Sequence, residues 1–535
     1  MAIIQQHLLH PIGESFVLTF ANTTNGKSIY SGNYDVDDEG NIYVCCHDQD
    51  EANILKISSD GNIIWRKRIT DEDDSAVTSS IAVDSSSGDV YFTGGTYANL
   101  GYMSVGYQLM IGKYNSSGVR QWLKIYGDGY QYVNQWGAWY LEQTSLSIGA
   151  RVHVDSSGLK CRAFLEQACG AGFSGIHLSS FLEVNPSGTL TRQRETSDFS
   201  TDSNNMNNCP NPWYNYSDRM ISYGNLTKSR VSNHFYAGGK YRGVSSHQES
   251  GDQWSCIAKF DSSGDLVWNK KFRYNNSGVA PSTNGSRDVF QDISLDSNDN
   301  LYTVSAAVQQ GASPQNRNPL VMKINSSGTL QWIRRLASNT VGLNESYLNN
   351  VFVDPDNDDN IFVTGSIKVY GTHNWGTDQT IRHLTKYNSS GTLQWQRLIA
   401  GFYIDYQTLK VKNGFIYLMG SSTYGTGTNG NQDRVLLKIP KSGNLAGLIT
   451  HDSNTFSVRN GGNNGNYNIY IDAGTSTGMS STVNPSYAYF NNFTNRYTYN
   501  GSVAFVNATN NSDGSSFGDS TSNVSCTKTS LGYYT

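Results

Sequence analysis

Seven copies of one turn motif, spaced about 64 residues apart on average, occur in a chain where only 16% of residues are charged while Gly (53) and Tyr (34) abound. These observations predict an all-β protein: a seven-bladed β-propeller with a small strand-rich C-terminal extension. At 535 residues the chain is long enough to bury a large core. Its charge is well below the customary quarter of residues, and Tyr, Ser, Asn and Gly belong to strands and turns rather than to exposed helices.

The motif reads Lys56-Ile-Ser-Ser-Asp-Gly61-Asn-Ile-Ile-Trp65, Lys113-Tyr-Asn-Ser-Ser-Gly118-Val-Arg-Gln-Trp122, Lys259-Phe-Asp-Ser-Ser-Gly264-Asp-Leu-Val-Trp268, Lys323-Ile-Asn-Ser-Ser-Gly328-Thr-Leu-Gln-Trp332 and Lys386-Tyr-Asn-Ser-Ser-Gly391-Thr-Leu-Gln-Trp395. Two copies are degenerate: Glu183-Val-Asn-Pro-Ser-Gly188-Thr-Leu lacks both Lys and Trp, and Lys438-Ile-Pro-Lys-Ser-Gly443-Asn-Leu lacks Trp. Each copy follows an apolar run ending in Asp, a Gly or Asn turn and an alternating strand, as in Ile81-Ala-Val-Asp84-Ser-Ser-Ser-Gly88-Asp-Val-Tyr91 and Val351-Phe-Val-Asp354-Pro-Asp-Asn-Asp-Asp-Asn360-Ile-Phe362.

Each unit therefore reads as four short strands joined by hairpins: strand a ends at the Asp, b carries Tyr or Phe, c ends at the Lys, and d carries the Trp. Asn or Asp bonds its own backbone two residues on, and Gly supplies the positive φ. A lone four-stranded meander exposes two edges and cannot cover both faces, so the units need one another. The Trp is expected to fill the gap between adjacent blades.

On these motifs, residues 28–450 resemble the seven-bladed propeller proteins built from Gly-Asn-Val-Tyr-Val-Thr-Gly and Lys-Tyr-Asp-Ser-Ser-Gly-Asn-Leu-Leu-Trp repeats. That resemblance implies a fold and leaves the activity open, because propellers host unrelated chemistries.

Before the blades, residues 1–27 contain one strand-like run at 14–22, readable either as a strand closing the ring or as an arm for a partner. After them, residues 451–535 hold seven charged residues and no Glu, with dense Asn, Gly, Ser, Thr and Tyr. Strand-like pieces at 467–471, 487–490 and 502–506, together with the aromatics, oppose disorder. Such charge-poor, Tyr/Asn/Gly-rich ends resemble bacteriophage tail and fibre proteins, which implies burial supplied by assembly with other copies.

Function classes narrow by exclusion. A net charge of −5 without a basic stripe excludes a nucleic-acid partner. No apolar run reaches the ~20 residues of a membrane helix, so membrane insertion is not expected. The N-terminal residues do not read as a signal peptide, and seven cysteines at irregular positions form neither a disulfide framework nor a zinc ladder. Cys45-Cys46, in one strand, point to opposite faces and are expected as buried thiols.

Asp261-Ser-Ser-Gly264-Asp-Leu-Val-Trp268 departs by one residue in each gap from the Asp box of sialidase-type propellers, so glycosidase chemistry is not expected. The histidines form no HxH or HExxH pattern, and no nucleophile elbow or Walker loop occurs. Asp354, Asp356 and Asp358 alternate along one turn and could converge on Ca²⁺, although the Gly and Glu of an EF-hand loop are missing; no other cofactor is expected. Trp213, Tyr214 and Tyr216, in a long irregular insert, and Trp136 and Trp139 offer planar side chains among amides. Such groups suit a sugar ring or a protein epitope, or cap a local core.

The sequence thus points to a non-enzymatic structural or interaction protein: a bacteriophage virion component, tail- or fibre-associated, assembled in the host cytoplasm. Its expected partners are other virion proteins or further copies of itself, and a host surface glycan or receptor. The alternative is an extracellular carbohydrate-binding or carbohydrate-cleaving propeller.

Overall fold

A computed structural model describes residues 15–22, 29–48, 51–70, 76–96, 108–127, 131–133, 139–145, 152–167, 176–196, 220–242, 253–264, 266–274, 289–309, 316–338, 347–369, 379–400, 402–404, 408–422, 434–443, 447–451, 454–460, 469–472, 479–480, 504–507, 518–522 and 524–530. Every regular element among them is a strand, and no helix long and apolar enough to cross a membrane occurs among them.

The chain begins with β1 (Phe16–Asn22). Blade 1 follows as β2 (Ile29–Val36), β3 (Ile42–Asp48), β4 (Glu51–Ile57) and β5 (Ile63–Thr70). Blade 2 is β6 (Val77–Asp84), β7 (Asp89–Thr96), β8 (Gln108–Tyr114) and β9 (Arg120–Gly127). Blade 3 is β10 (Gln131–Val133), β11 (Trp139–Ser145), β12 (His153–Asp155), β13 (Gly158–Gln167), β14 (Ile176–Val184) and β15 (Leu190–Thr196), with β11 and β12 sharing the role of strand a.

Blade 4 is β16 (Met220–Lys228), β17 (Phe235–Arg242), β18 (Gln253–Phe260) and β19 (Leu266–Tyr274). Blade 5 is β20 (Val289–Leu295), β21 (Leu301–Gln309), β22 (Asn316–Ile324) and β23 (Leu330–Ser338), and blade 6 is β24 (Tyr347–Val353), β25 (Ile361–Val369), β26 (Gln379–Tyr387) and β27 (Leu393–Ala400). Blade 7 takes β28 (Phe402–Ile404), β29 (Lys410–Lys412), β30 (Phe415–Ser422) and β31 (Arg434–Pro440). The remaining strands are β32 (Gly447–His451), β33 (Asn454–Asn460), β34 (Ile469–Asp472), β35 (Met479–Ser480), β36 (Ala504–Asn507), β37 (Gly518–Ser520) and β38 (Val524–Ser530).

The seven antiparallel sheets make a seven-bladed propeller. The larger apolar clusters lie between blades: Cys45, Ile54, Val83 and Phe92 join blades 1 and 2, Tyr302, Val321, Val351 and Val363 join blades 5 and 6, and Leu384, Ile399, Leu418 and Val435 join blades 6 and 7. Because neighbours cover both faces of a blade, its middle strands are buried on both, and Arg434–Pro440 is buried along its whole length. Cys45 and Cys46 fall in two different clusters, on opposite faces of β3.

The repeat motif is an inter-blade lock. Opposite each strand-c Lys stands the strand-b aromatic on one side and the strand-d Trp on the other, as in Tyr43, Lys56 and Trp65. The ammonium lies over the aromatic ring, at 5.2 Å for Lys56 over Tyr43 and 5.1 Å for Lys323 over Tyr302. The Trp then reaches the next blade's turn: Trp65 Nε1 donates to the Ser116 carbonyl at 3.0 Å, Trp122 to Pro186 at 3.0 Å, Trp268 to Ser326 at 3.1 Å and Trp332 to Ser389 at 3.0 Å. The turn glycine leaves room for the indole; a Cβ on Gly118 (φ 77°) would sit 2.8 Å from Trp65.

Blade 3 abandons the lock. In the same register it carries Lys160, Glu183 and Arg192, an alternating ion row replacing the aromatic stack. Arg192 lies 3.3 Å from Glu183 and donates to the Ser262 carbonyl of blade 4 at 2.6 Å, while Phe181 covers Gly264.

Blade 7 closes the ring with the other end of the chain. Only β28 to β31 follow in sequence, and β1 pairs with β31 as strand d, with Phe16 opposite Lys438 where other blades have Trp. Residues 14–22 read from sequence as a closing strand or a partner arm, and the described part takes the closing position.

The C-terminal strands then return around the perimeter in reverse blade order. β32 and β33 lie outside β27 of blade 6, β34 outside β23 of blade 5, β35 outside β19 of blade 4, β36 outside β9 of blade 2, β37 outside β5 of blade 1, and β38 outside β1 of blade 7. Among the described strands, β33 to β38 pair with the outer edges of six of the seven blades, and β32 pairs with β33. Unpaired edges need covering, and on those six blades this segment lies against the outermost strand.

Candidate interaction face

Strand polarity divides the connections between two faces. All a–b and c–d turns lie at one end, and among the described strands they are two residues (156–157, 413–414) to seven residues (354–360) long. The b–c and d–a connections lie at the other end and run up to 23 residues, at 197–219. One face is thus a set of tight turns, and the other carries the long segments where binding groups tend to reside.

The tight-turn face is stitched shut by polar groups crossing between blades. Asp37 and Asp296, both buried, each accept from the backbone and side chain of an Asn four residues on, Asn41 and Asn300. The Tyr43 hydroxyl donates to Asp37 at 3.0 Å, and burial together with that carboxylate pushes its pKa up, so the phenol stays protonated. Asp35 accepts from Lys410 Nζ of blade 7 at 2.6 Å and from the Val83 amide of blade 2 at 2.9 Å. The Val351 amide likewise donates to Asp292, and the Thr408 amide to Asn350, so the innermost strands are linked directly.

Arg230 makes the longest crossing. It projects from the a–b turn of blade 4, passes blade 5, and donates to the Val353 carbonyl at 2.7 Å and to Asp358 at 3.2 Å in blade 6. Ser297 of blade 5 donates its amide and hydroxyl to the same Asp358.

These contacts show what the three alternating carboxylates engage. Buried Asp354 is 2.8 Å from Lys441 and accepts from Asn360 Nδ2, Asp356 is 3.3 Å from Lys441, and Asp358 meets Arg230. The positive charge at this turn comes from two side chains of neighbouring blades. The three carboxylates do not converge on one point: no group of three or more His, Cys, Asp or Glu placed to hold a metal ion occurs among the described residues.

A second charged cluster, not singled out in the sequence, lies between blades 3 and 4. Asp155 accepts from Lys160 at 2.9 Å and Lys228 at 2.8 Å, with His153 at 3.6 Å. The nearby His153 ring, followed by hydrogen bonds from Lys228, Ser157 and Lys160, holds its carboxyl well below the usual range against burial. The signal for it was the loss of Lys and Trp from the Gly188 copy, which marks where charge replaces stacking.

Trp136, Trp213, Tyr214 and Tyr216 lie outside the described residues. Trp139 opens β11, opposite Val133 of β10. β11 begins at the long-connection end, which places Trp139 on that face.

No protein-family model and no curated protein matches the chain. Among solved structures it is similar to the polysaccharide lyase Uly1, at 10% identity and a TM-score of 0.43, covering 79% of this chain and 91% of that one. It is also similar to Drosophila semaphorin 1a, extracellular domains 1–2, at 10% identity and 0.39, covering 80% and 88%. A third likeness is to the NanB sialidase of Streptococcus pneumoniae, at 11% identity and 0.36, covering 79% and 70%. At such identity the likeness concerns the fold alone.

Proposed function

We propose that this chain is a non-enzymatic interaction protein that uses the long-connection face of its propeller to bind, and that it serves as a structural component of a bacteriophage virion. The observation that carries the reading is the two-faced construction: tight turns cross-linked from blade to blade on one face, and connections of up to 23 residues on the other. A scaffold with one sealed face presents its variable segments in a single direction. The perimeter supports the same direction, because the outer strand edges of six of the seven blades are occupied by the chain's own C-terminal strands.

The virion assignment draws its support from the C-terminal composition, with seven charged residues between 451 and 535 and abundant Asn, Gly, Ser and Tyr. Its partners are then other virion proteins, with a host surface glycan or receptor as the target of the long-connection face. Mass spectrometry of intact particles from the source tests this reading, with stoichiometric presence of the chain expected; absence from the particle sinks it. A glycan array and a hydrolysis screen on the purified chain separate binding from cleavage, and turnover of any glycan would overturn the non-enzymatic part.

A further inference from the structure

Residues standing opposite one another form a row across the four strands of a blade. The row is Asp35, Tyr43, Lys56 and Trp65 in blade 1 and Ser294, Tyr302, Lys323 and Trp332 in blade 5. In blade 3 it is His153, Lys160, Glu183 and Arg192, four ionisable side chains in place of the stacked rings and ammonium. This row faces blade 4: His153 packs against Phe235 there, at 6.2 Å between ring centroids, and Arg192 donates to the Ser262 carbonyl at 2.6 Å.

A chain of alternating charge runs along the joint. Lys228 of blade 4 lies 2.8 Å from Asp155 of blade 3, Lys160 lies 2.9 Å from Asp155 and 3.7 Å from Glu183, and Glu183 lies 3.3 Å from Arg192. Burial holds the His153 pKa below its ordinary value, so that ring adds no charge at neutral pH.

Phe181 covers Gly264 and packs on Phe235 at 5.4 Å, yet a phenylalanine has no N–H to give to the next turn. At the joints after blades 1, 2, 4 and 5 that hydrogen bond comes from a Trp, which bears no charge. The joint between blades 7 and 1 also lacks the Trp, but an apolar cluster including Leu18, Val44, Tyr417 and Leu436 spans it.

Solvent ions reach the charged chain, because the side chains of Asp155, Lys228 and Arg192 are 26%, 21% and 31% exposed. Raising salt from 0.1 M to 1 M shortens the Debye length from about 10 Å to about 3 Å, which weakens ion pairs of this kind and spares a neutral N–H bond. We propose that the joint between blades 3 and 4 is a salt-operated hinge, the place where the ring loosens first as ionic strength rises. The connection 197–219 runs from β15 to β16, so its two anchors stand on opposite sides of the hinge and separate when it loosens. The hinge does not depend on what the long-connection face binds.

The test reads thiol exposure in the folded full chain. Ala258 is fully buried, stands opposite Ala237 and shares with Phe235 the face of blade 4 turned toward blade 3, so Ala258→Cys puts a thiol in this joint. Native thiols serve as references in other joints: Cys45 between blades 1 and 2, Cys161 between blades 2 and 3, and Cys46 between blades 7 and 1. Labelling with iodoacetamide, an uncharged reagent, is followed peptide by peptide by mass spectrometry in 0.1 M and 1 M NaCl. The introduced thiol is expected to react at least threefold faster at the higher salt, while Cys45, Cys46 and Cys161 change less than twofold. Lys228→Met in the same chain is expected to speed labelling at 0.1 M NaCl and to flatten the response to salt. Ala237→Cys, on the same face, carries the same expectations should the first variant not fold. A salt response shared by all the thiols, no response at the introduced one, or a response undiminished by Lys228→Met would overturn the inference.

Discussion

Replacing Gly118 with Ala separates the two demands that the repeat motif places on its glycine. The residue has φ of 77°, and an added Cβ would lie 2.8 Å from Trp65 Cδ2 and 3.0 Å from its Cγ. The left-handed backbone alone costs about 1–2 kcal/mol for a residue with a Cβ. Displacing an indole that is held by its own hydrogen bond adds about 1–3 kcal/mol of overpacking. The expected loss is about 2–5 kcal/mol, a large part of the stability of an ordinary domain.

Gly40→Ala is the control: its φ is 83°, yet its nearest contact would be Ser59 Cβ at 3.3 Å, so it reports the backbone cost with little clash. Urea unfolding followed by far-ultraviolet circular dichroism measures both, and a double-mutant cycle with Trp65→Ala isolates the contact. In the Trp65→Ala background Gly118→Ala should fall back to the Gly40→Ala cost. If Gly118→Ala costs no more than Gly40→Ala, or if its cost survives the loss of Trp65, the lock reasoning is refuted.

Other consequences follow from the same geometry. Trp332→Phe keeps the ring near Tyr302 but loses the N–H bond to Ser389, so it should cost about 1 kcal/mol in urea unfolding, well under the loss for Trp332→Ala. Adding EDTA should leave the melting temperature unchanged, because Lys441 and Arg230 already neutralise Asp354, Asp356 and Asp358. A clear fall on chelation would show a bound cation, whereas Arg230→Met should lower the melting temperature with or without chelator.

Acid should destabilise the protein earlier than carboxylates alone predict. Burial, followed by the nearby Arg434 and Arg382 charges, pushes His47 down to about 4 and His383 down to about 3. The unfolded chain therefore takes up protons below about pH 6.5 that the folded chain refuses. Stability is complete above that pH and declines as pH falls toward 4 and then 3, by up to about 3 kcal/mol for His47. Equilibrium unfolding across pH 7 to 4 checks this, and His383→Asn should flatten the slope; an unchanged slope would show that His383 is not held neutral.

What the sequence made legible was the part carried by side chains at fixed spacing. Lys, Ser, Gly and Trp recur because each has a partner at a set register: the aromatic across one strand, the indole across the other, and the next blade's turn. The two degenerate copies were informative as well. The Gly443 copy lacks its Trp because the chain departs there and β1 takes the place of strand d, with Phe16 in register. The Gly188 copy lacks Lys and Trp because blade 3 is joined to its neighbour by charge.

What escaped notice was carried by the backbone. β34 to β37 are two to four residues long, and their pairing to outer edges needs only N–H and C=O groups, which nearly any residue supplies. The ion pairs of the tight-turn face were equally hidden. Nothing at Asp358 points to Arg230, 128 positions earlier, until the ring brings blades 4 and 6 within reach of one long side chain.

The low charge of the C-terminal region acquires a cause in this architecture. The described strands β33 to β38 lie against successive sheet edges, where small polar residues pair through the backbone without carrying charges into the joints. Where this segment does reach a joint with a charged side chain, at Lys528, the ammonium lies by the Phe16 ring and its stem covers Gly61. Replacing Lys528 with Ser removes both contacts without breaking a strand, so it should weaken the blade 7 to blade 1 joint selectively. The expected sign is faster hydrogen exchange in β1 and β38 with that of blade 5 unchanged; uniform acceleration through all the blades would mean that the ring has no preferred point of opening.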